Sequence, residues 1–329
     1  MKKSFWEKLE DNGKKPILAL APMYEVTDTA YRQIIAKCGK PDAFFTEFVS
    51  VDGLTHEKSR DKLIKYLLQY EETERPLVAQ IWGSNPKKFY EASKIIKKLG
   101  FDGIDINMGC PDKAVVKMGA GAALILNPDL AKEIIKETKR GAGNLPVSVK
   151  TRIGYDKKIT TEWISHLLEM EPAAITIHGR TKKEMSKVPA DWTEIGKAAQ
   201  LAKKTNTLIL GNGDVKDLDD AMEKFKTYEL DGIMVGRAVL HNPWFFNPKI
   251  NPAQVSLKER LDLIVEYTEL FEKYFRPKDA NASGIKNFQM VRKNIKSFTA
   301  GFPHIKELKM KLMLAKNSKE IKDIIKNRL

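Results

Sequence analysis

Cysteine is scarce in this chain of 329 residues, which holds only Cys38 and Cys110. Two cysteines so far apart form neither a disulfide framework nor a paired zinc motif, and they indicate a reducing compartment. The five histidines are scattered as well, so the sequence shows no metal site. These absences argue against a disulfide-stabilised secreted scaffold and against a metalloenzyme.

Long apolar runs are also missing. The longest early one, over residues 17–23, is far shorter than a signal-peptide core or a transmembrane helix requires. The first residues, Met-Lys-Lys-Ser-Phe-Trp-Glu-Lys, are charged rather than apolar. The hydrophobic content of 42% is ordinary for a folded protein with a real core. The charged start and the short apolar run lead us to expect a cytoplasmic protein with no membrane partner.

Acidic residues are too few to balance the basic ones. The chain has 57 Lys and Arg against 43 Asp and Glu, which gives a net charge of +14. A polyanionic partner would explain this excess, and a lysine-rich genome is the alternative explanation. The distribution favours the partner, because residues 251–329 alone hold 17 basic and nine acidic residues.

A glycine-rich turn after the first predicted strand is absent too, since residues 21–25 read Ala-Pro-Met-Tyr-Glu. This argues against a doubly wound open sheet, which is the second choice of fold. Eight short apolar segments alternate with helical patterns and predict a closed (β/α)8 TIM barrel. The predicted strands cover residues 17–21, 43–46, 77–81, 103–107, 147–150, 174–178, 208–211 and 232–235.

The pattern changes after the eighth strand. Residues 247–254 form a connector that contains Pro and Asn, and no strand-like run follows it. The remainder predicts a small all-α domain, interrupted at Pro277, at residues 301–303 and at residues 317–318. Its predicted helices cover residues 257–275, 285–298, 305–315 and 318–329. The predicted organisation is a catalytic barrel over residues 1–246 and a helical domain over residues 247–329.

One thiol is a candidate catalytic group. Residues 103–111 read Gly-Ile-Asp-Ile-Asn-Met-Gly-Cys-Pro, so Cys110 follows a strand on a loop that Pro111 keeps out of a helix. In a barrel of parallel strands, the catalytic groups lie at the carboxyl ends of the strands. The alternative is that Cys110 is a small buried hydrophobe, as lone cysteines more often are. Cys38 fits that structural description, because it ends an amphipathic helix before Gly39.

Other predicted strand ends carry polar or functional side chains. Each alone could be a cap or a packed residue of the barrel interior, but their common position at one face predicts a site. The first, third, fourth, fifth and sixth strands contribute Met23 after Pro22, Gln80, Asn107, Lys150, and His178 with Arg180.

The seventh and eighth strands end in Gly-Asn-Gly-Asp at 211–214 and in Gly-Arg at 236–237. Such loops commonly bind phosphate in (β/α)8 barrels, and Arg237 offers a bidentate contact. A phosphorylated cofactor or substrate is therefore expected. Lys150 and His178 facing it would suit a flavin, because a cation stabilises the negative charge that the ring acquires on reduction. A Schiff-base lysine is the alternative for Lys150.

The ordered motifs resemble those of the tRNA-dihydrouridine synthases over residues 17–315. The resemblance rests on the segment 103–111, Lys-Met-Gly-Ala-Gly-Ala-Ala-Leu at 117–124, Val-Lys-Thr-Arg at 149–152, Ile-His-Gly-Arg-Thr at 177–181, Pro-Ala-Asp-Trp at 189–192, Gly-Asn-Gly-Asp at 211–214, and Val-Gly-Arg-Ala with Asn-Pro-Trp within 235–244. It implies an FMN enzyme, reduced by NADPH, that saturates the 5,6 double bond of a uridine in tRNA.

The resemblance also implies roles for individual residues. Hydride from flavin N5 would reach carbon 6 of uracil, and Cys110 would donate the proton to carbon 5 without any metal. Asn107 and Arg180 would contact the flipped base, while Arg292 and Lys293 would contact the RNA. The residues that would hold FMN are Pro22, Met23, Gln80, Lys150, His178, Asn212, Gly213, Asp214, Gly236 and Arg237.

The helical tail departs from the family pattern after Arg292 and Lys293. The family usually shows Arg-Lys-His and then Trp-Tyr, whereas this chain has Asn294, Ser297 and Phe298 in those places. The difference predicts weaker aromatic stacking on RNA. Two alternative functions remain: a small-molecule FMN oxidoreductase resembling dihydroorotate dehydrogenase, which leaves the basic tail unexplained, and a flavin-free RNA-binding protein that kept the fold.

Overall fold

The computed structural model describes residues 4–9, 15–275, 286–302 and 305–327. The predicted breaks at Pro277 and Pro303, and the ends of two predicted helices at 285 and 328–329, lie outside these ranges. At the centre is one parallel sheet of short strands. Its strands are β1 (Ile17–Leu20), β2 (Phe44–Phe45), β3 (Val49–Ser50), β4 (Leu77–Trp82), β5 (Gly103–Met108), β6 (Val147–Arg152), β7 (Ala174–His178), β8 (Leu208–Asn212) and β9 (Gly232–Val235).

The sheet closes into the predicted (β/α)8 barrel. Its strand order is β1-β9-β8-β7-β6-β5-β4-β2, and the remaining gap is bridged where Ala19 pairs with Ala43. There the N–H of Leu20 donates to the Ala43 carbonyl at 3.0 Å. β3 pairs with the far end of β4, so β2 and β3 together occupy one of the eight positions. The eight predicted strands are confirmed, but this interruption of the second one was not predicted.

The helices cover the outside of the barrel and form the tail. Proline at the first helical position begins two of them, as expected where an N–H has no intrahelical partner. The α-helices are α1 (Phe5–Leu9), α2 (Thr29–Gly39), α3 (Val51–Thr55), α4 (Glu57–Leu63), α5 (Pro86–Lys98), α6 (Lys113–Lys117), α7 (Pro128–Ala142), α8 (Thr160–Leu168), α9 (Trp192–Ala202), α10 (Leu218–Thr227), α11 (Arg237–His241), α12 (Leu257–Phe275), α13 (Arg292–Phe298), α14 (Lys306–Leu314) and α15 (Ser318–Lys326).

Strand alternation separates the interior of the barrel from the layer beneath the helices. The interior cluster contains residues from the beginnings of strands, such as Ile17, Val78 and Leu208, and Trp6 of α1 packs with them. Gln80 lies two residues after Val78, and Asn212 lies four residues after Leu208, so both side chains share the interior face near the carboxyl ends of their strands. The barrel is thus apolar at its amino-terminal end and polar at the end predicted to hold the site.

The helical tail packs on α2 of the barrel rather than standing apart from it. Tyr31 of α2 stacks on Phe298 of α13 and meets Tyr267 of α12 edge to face, each at a centroid distance of 6.2 Å. Phe298 is 1% exposed. This ring belongs to the interface between the tail and the barrel, and the weaker aromatic stacking on RNA stays a prediction.

The observed α-helix in this region is also shorter than the one predicted over 285–298. Its described part begins with a 3-10 turn over Phe288–Val291, capped by the side chain of Asn287, and becomes α-helical only in α13. The predictions for α12, α14 and α15 agree with the structure within a few residues at each end. In the part of the chain that the structure describes, no single helix is long and apolar enough to cross a membrane. One bent pair, Lys113–Leu126 with Pro128–Ala142, meets that test by length and composition.

Candidate active site

Two adjoining cavities open at the carboxyl ends of the strands and gather the residues that the sequence predicted for the barrel site. The larger has a volume of about 750 Å³ and the smaller about 170 Å³. They share the walls formed by Pro22, Pro111, Lys150, Arg152 and His178. The larger cavity adds Met23, Asn212, Gly213, Asp214, Gly236, Arg237 and Arg180, and the smaller adds Gln80, Asn107 and Cys110.

The loop after β8 brings backbone close to the larger cavity. Gly213 has a φ of +128°, and a Cβ there would lie 2.7 Å from the Cβ of Ala190. Only glycine fits this position without a shift of its neighbours. The Asp214 carboxylate accepts from the Ala190 N–H at 2.9 Å and from Arg237 Nη2 at 2.8 Å, and it also pairs with Arg180. Burial favours the neutral acid, but these donors outweigh it and lower the pKa of Asp214.

Lys150 provides a half-buried ammonium group between the two cavities. Its Nζ donates to Asn212 Oδ1 at 3.1 Å, and Asn212 Nδ2 donates to the Met234 carbonyl at 2.8 Å. Burial, helped by the charge of Arg152, lowers the pKa of Lys150 to about 8. Lys150 therefore carries its charge at neutral pH and loses it in mildly alkaline solution.

His178 is a neutral imidazole in this setting. Burial and the charges of Lys150, Arg152 and the other nearby arginines lower its pKa well below the usual value. Its Nε2 lies 3.1 Å from Nη1 of Arg180. Because a guanidinium group can only donate, Nε2 accepts and the ring proton lies on Nδ1.

Arg180 is more constrained than the prediction of a base contact implied. Its side chain is 3% exposed, and it contacts Asp214 in addition to His178. Its Nε donates to the Val188 carbonyl at 2.6 Å. Three of its five N–H groups are engaged by protein atoms, so two remain for a ligand in the cavity.

The Cys110 loop is held from three directions. Asn107 Oδ1 accepts from the Cys110 N–H at 2.9 Å, and Arg152 Nε donates to the Gly109 carbonyl at 2.7 Å. Gly121, with a φ of +58°, packs against Cys110, where a Cβ would lie 2.8 Å from the Cys110 carbonyl oxygen. Burial raises the pKa of the Cys110 thiol. The thiol is therefore protonated at neutral pH and lies against the smaller cavity.

Cys38 has the environment predicted for a structural thiol. It is buried at the end of α2, and burial raises its pKa to about 12. Cys110 differs because it is only partly buried and lines a cavity.

The tail cations lie outside both cavities. Lys293 pairs with Glu25 in the loop after β1 at 2.6 Å, and its side chain is 54% exposed. The Nε of Arg292 is buried and has no hydrogen-bond partner among the described residues. The pair between Lys293 and Glu25 places the start of α13 beside the loop that carries Met23, and so beside the mouth of the barrel.

The sequence analysis assigned no role to two residues of the site, Arg152 and Gly121, or to one residue that supports the site from below, Lys286. Arg152 was quoted within a motif but received no role, although its position two residues after Lys150 on β6 indicates the same strand face. Gly121 gave a signal only through its place in a glycine-containing motif. Lys286, which is buried with Asp28 and Glu47 beneath the first loop, gave no local signal because its partners are distant in sequence.

Known proteins share both the sequence and the fold of this chain. The sequence model of the dihydrouridine synthase family, Dus, matches residues 19–328. A probable tRNA-dihydrouridine synthase of Staphylococcus aureus (strain MRSA252) is 39% identical over 99% of this chain and 95% of its own length. Probable tRNA-dihydrouridine synthase 2 of Bacillus subtilis (strain 168) is 37% identical over 99% of this chain and 96% of its own length.

Two solved structures show the same fold at low sequence identity. Histamine dehydrogenase from Rhizobium sp. 4-9 superposes with a TM-score of 0.54 at 13% identity, over 95% of this chain and 61% of that one. Morphinone reductase in complex with tetrahydroNAD gives a TM-score of 0.50 at 11% identity, over 70% of this chain and 85% of that one. At this identity the likeness shows the fold alone. The family match and the close relatives decide the assignment, and the chain belongs to the dihydrouridine synthase family.

Proposed function

We propose that the chain is a tRNA-dihydrouridine synthase that binds FMN, is reduced by NADPH, and saturates the 5,6 double bond of uridines in tRNA. Family membership supports the reaction class, which is a flavin-dependent reduction of a carbon–carbon double bond. The observation that carries the proposal for this chain is the pair of joined cavities. The larger one suits a phosphorylated cofactor, and the smaller one suits a base that must meet both the cofactor and the Cys110 thiol.

The larger cavity fits FMN in size and in the chemistry of its walls. Its volume of about 750 Å³ lies in the range of roughly 300–1,000 Å³ that ligand pockets occupy. Gly213 leaves room for close approach of a ligand to the backbone, and Arg237 supplies an exposed guanidinium group beside it. The sequence offers one predicted phosphate site, formed by the loops after the seventh and eighth predicted strands. A single phosphate site favours a mononucleotide cofactor over a dinucleotide. The remaining proposed FMN contacts on this cavity are Pro22, Met23, Lys150, His178, Asn212, Asp214 and Gly236; the further proposed contact, Gln80, lines the adjoining smaller cavity.

Lys150 is proposed to stabilise negative charge at the inner end of the cavity. When bound and reduced, FMN supplies the hydride equivalent that carbon 6 of uracil takes up. The ammonium group of Lys150, already desolvated and oriented by Asn212, needs no reorganisation to meet a developing anion. His178 is neutral, so it offers a polar ring without adding a second full charge.

Cys110 is proposed to donate the proton to carbon 5. Its raised pKa keeps the thiol protonated at neutral pH, which is the form that a general acid needs. The contacts from Asn107, Arg152 and Gly121 restrict the loop on which it stands. A target uridine would have to leave its stack to reach this depth, which is how other base-modifying enzymes gain access.

The base and the RNA are proposed to contact different parts of the chain. Asn107 uses one of its two Nδ2 hydrogens within the protein, and Arg180 uses three of its five, so both retain donors for uracil oxygens. Arg292 and Lys293 are proposed to contact the phosphate backbone. Lys293 would exchange its partner Glu25 for phosphate, as an exposed pair allows.

The test is dihydrouridine mapping in tRNA and ribosomal RNA from a strain that lacks this protein. Specific tRNA uridines should lose the modification, and a plasmid copy of the wild-type gene should restore it. The purified protein should be yellow and should release FMN. Unchanged dihydrouridine maps, together with tRNA-independent reduction of a free pyrimidine, would instead support a small-molecule oxidoreductase.

A further inference from the structure

Asp105 is a buried carboxylate to which the proposed reaction assigns no role. It lies on β5 two residues before Asn107, so the two side chains share the interior face of the strand. Its Oδ1 accepts from the Ser148 hydroxyl at 2.6 Å, and its Oδ2 accepts from Gln80 Nε2 at 2.7 Å. Burial raises the pKa of Asp105 to about 6 against the effect of these two donors, so the group is ionised at pH 7.5.

The carboxylate determines which way the Gln80 amide points. An ionised carboxylate can only accept, so the NH2 end of the amide must face Asp105 and the carbonyl end must face away. That carbonyl, Gln80 Oε1, accepts from Asn107 Nδ2 at 2.9 Å. A reversed Gln80 would set its carbonyl against the carboxylate and its NH2 against the NH2 of Asn107.

The orientation is then passed to the catalytic loop. Because the Nδ2 end of Asn107 faces Gln80, its Oδ1 faces the residues that follow the strand. This oxygen accepts from the N–H of Gly109 at 3.1 Å and from the N–H of Cys110 at 2.9 Å. The series of hydrogen bonds from Asp105 through Gln80 and Asn107 to the Cys110 N–H can therefore form with only one orientation of the two side-chain amides.

We propose that Asp105 is a positioning residue for the Cys110 thiol and acts through the ordered amides of Gln80 and Asn107. The proposal rests on the proposed function only in that Cys110 is the proton donor there. The loop geometry that it concerns is a property of the protein without substrate. A purely structural role for Asp105, as a satisfied polar group in the barrel, is the alternative that the experiment must separate.

Three variants separate polarity from simple structural support. Asp105→Asn keeps the shape but offers an NH2 group to Gln80, which allows the Gln80 amide to turn and the Asn107 amide to follow it. Adding Gln80→Glu to Asp105→Asn restores an acceptor toward Asn107, because a glutamate accepts from both sides. Ser148→Ala is the matched control, since it removes the other hydrogen bond to Asp105 and leaves the amide direction unchanged.

The measurements are hydrogen exchange of the Gly109 and Cys110 amides and the rate at which iodoacetamide alkylates Cys110, with the modified peptide identified by mass spectrometry. We expect Asp105→Asn to accelerate both by about fivefold or more, the effect of one lost hydrogen bond. The double variant should return toward wild type, and Ser148→Ala should differ little from it. Unchanged rates in Asp105→Asn, or equal effects of Asp105→Asn and Ser148→Ala, would overturn the proposal.

If Asp105→Asn does not fold, a second variant takes its place in the test. Gln80→Met removes the amide that links Asp105 to Asn107 and leaves the carboxylate in place. It should accelerate amide exchange and alkylation of Cys110 as Asp105→Asn does. Single-turnover dihydrouridine formation by Asp105→Asn should fall roughly tenfold to a hundredfold if the thiol is displaced. If the wild type forms no dihydrouridine, the proposed function fails, while exchange and alkylation still decide the role of Asp105.

Discussion

Lys150 and Arg180 at the mouth of the barrel and Lys293 in the helical tail occupy opposite environments. Lys150 is half-buried between two cavities and Arg180 is 3% exposed, and both contact neighbours that fix their position. Lys293 is 54% exposed and has one acidic partner, Glu25. The mouth can therefore provide preorganised electrostatics for chemistry, whereas Lys293 can exchange its partner for an extended polyanion. Variants at the mouth should alter the reaction, and variants in the tail should alter RNA affinity.

The largest effect is expected at Cys110. Cys110→Ala should keep flavin binding and reduction by NADPH, but the oxidation of the reduced enzyme by tRNA should slow by ~10²–10⁴-fold, as for loss of a general acid. Single-turnover kinetics measures this rate. Cys38→Ala is the control and should leave the rate unchanged, because Cys38 is buried in α2 away from both cavities. Equal behaviour of the two variants would assign Cys110 a structural role.

A smaller effect is expected at the phosphate-binding end. Arg237→Ala removes a charge-assisted contact and should weaken FMN binding by roughly tenfold to a hundredfold, measured by flavin fluorescence on titration. Arg237 pairs with Asp214 in the protein. Asp214→Asn is therefore a useful companion, since it releases Arg237 but also weakens the support of Arg180. Unaltered FMN affinity in Arg237→Ala would place the phosphate elsewhere.

FMN binding should also depend on pH through Lys150. The pKa of Lys150 is lowered to about 8, so the ammonium is present below that pH and lost above it. An anionic ligand favours the charged form, so the affinity for FMN should fall as the pH rises from 7 to 9. Because only about one pH unit of this range lies above the pKa of about 8, the fall should be at most roughly tenfold. Lys150→Met should bind more weakly at pH 7 and show a flatter profile.

The smallest effects are expected in the tail. Arg292→Ala and Lys293→Ala should weaken tRNA binding without changing flavin reduction. Each lost phosphate contact should flatten the plot of log K against log salt by roughly 0.7–0.9. Glu25→Gln sharpens the test, because it frees Lys293 and should strengthen tRNA binding slightly. An unchanged salt slope in the double variant would remove both cations from the interface.

The sequence predicted which side chains come together at the mouth of the barrel, because strand periodicity is a local signal. Residues such as Gln80, Asn107 and His178 stand near the ends of apolar segments, and parallel strands bring their carboxyl ends to one face. The structure gathers the barrel residues of the predicted site around the two joined cavities. Their individual roles remain predictions.

Features that depend on distant contacts were not predictable in this way. The burial of Phe298 depends on Tyr31, and that of Lys286 depends on Glu47 and Asp28, all far away in the chain. A basic or aromatic residue on a helix gives no local sign of whether its partner is RNA or protein. The short β3 was missed for a related reason, since two residues are too few to establish a period.

The most direct test of the central claim is the reaction of the reduced wild-type protein with unmodified tRNA in the absence of oxygen. The account predicts that tRNA oxidises the bound flavin and that one dihydrouridine forms per flavin oxidised, as measured by absorbance and by mass spectrometry of the RNA. Oxidation by a free pyrimidine but not by tRNA, or oxidation by tRNA without dihydrouridine, would contradict it.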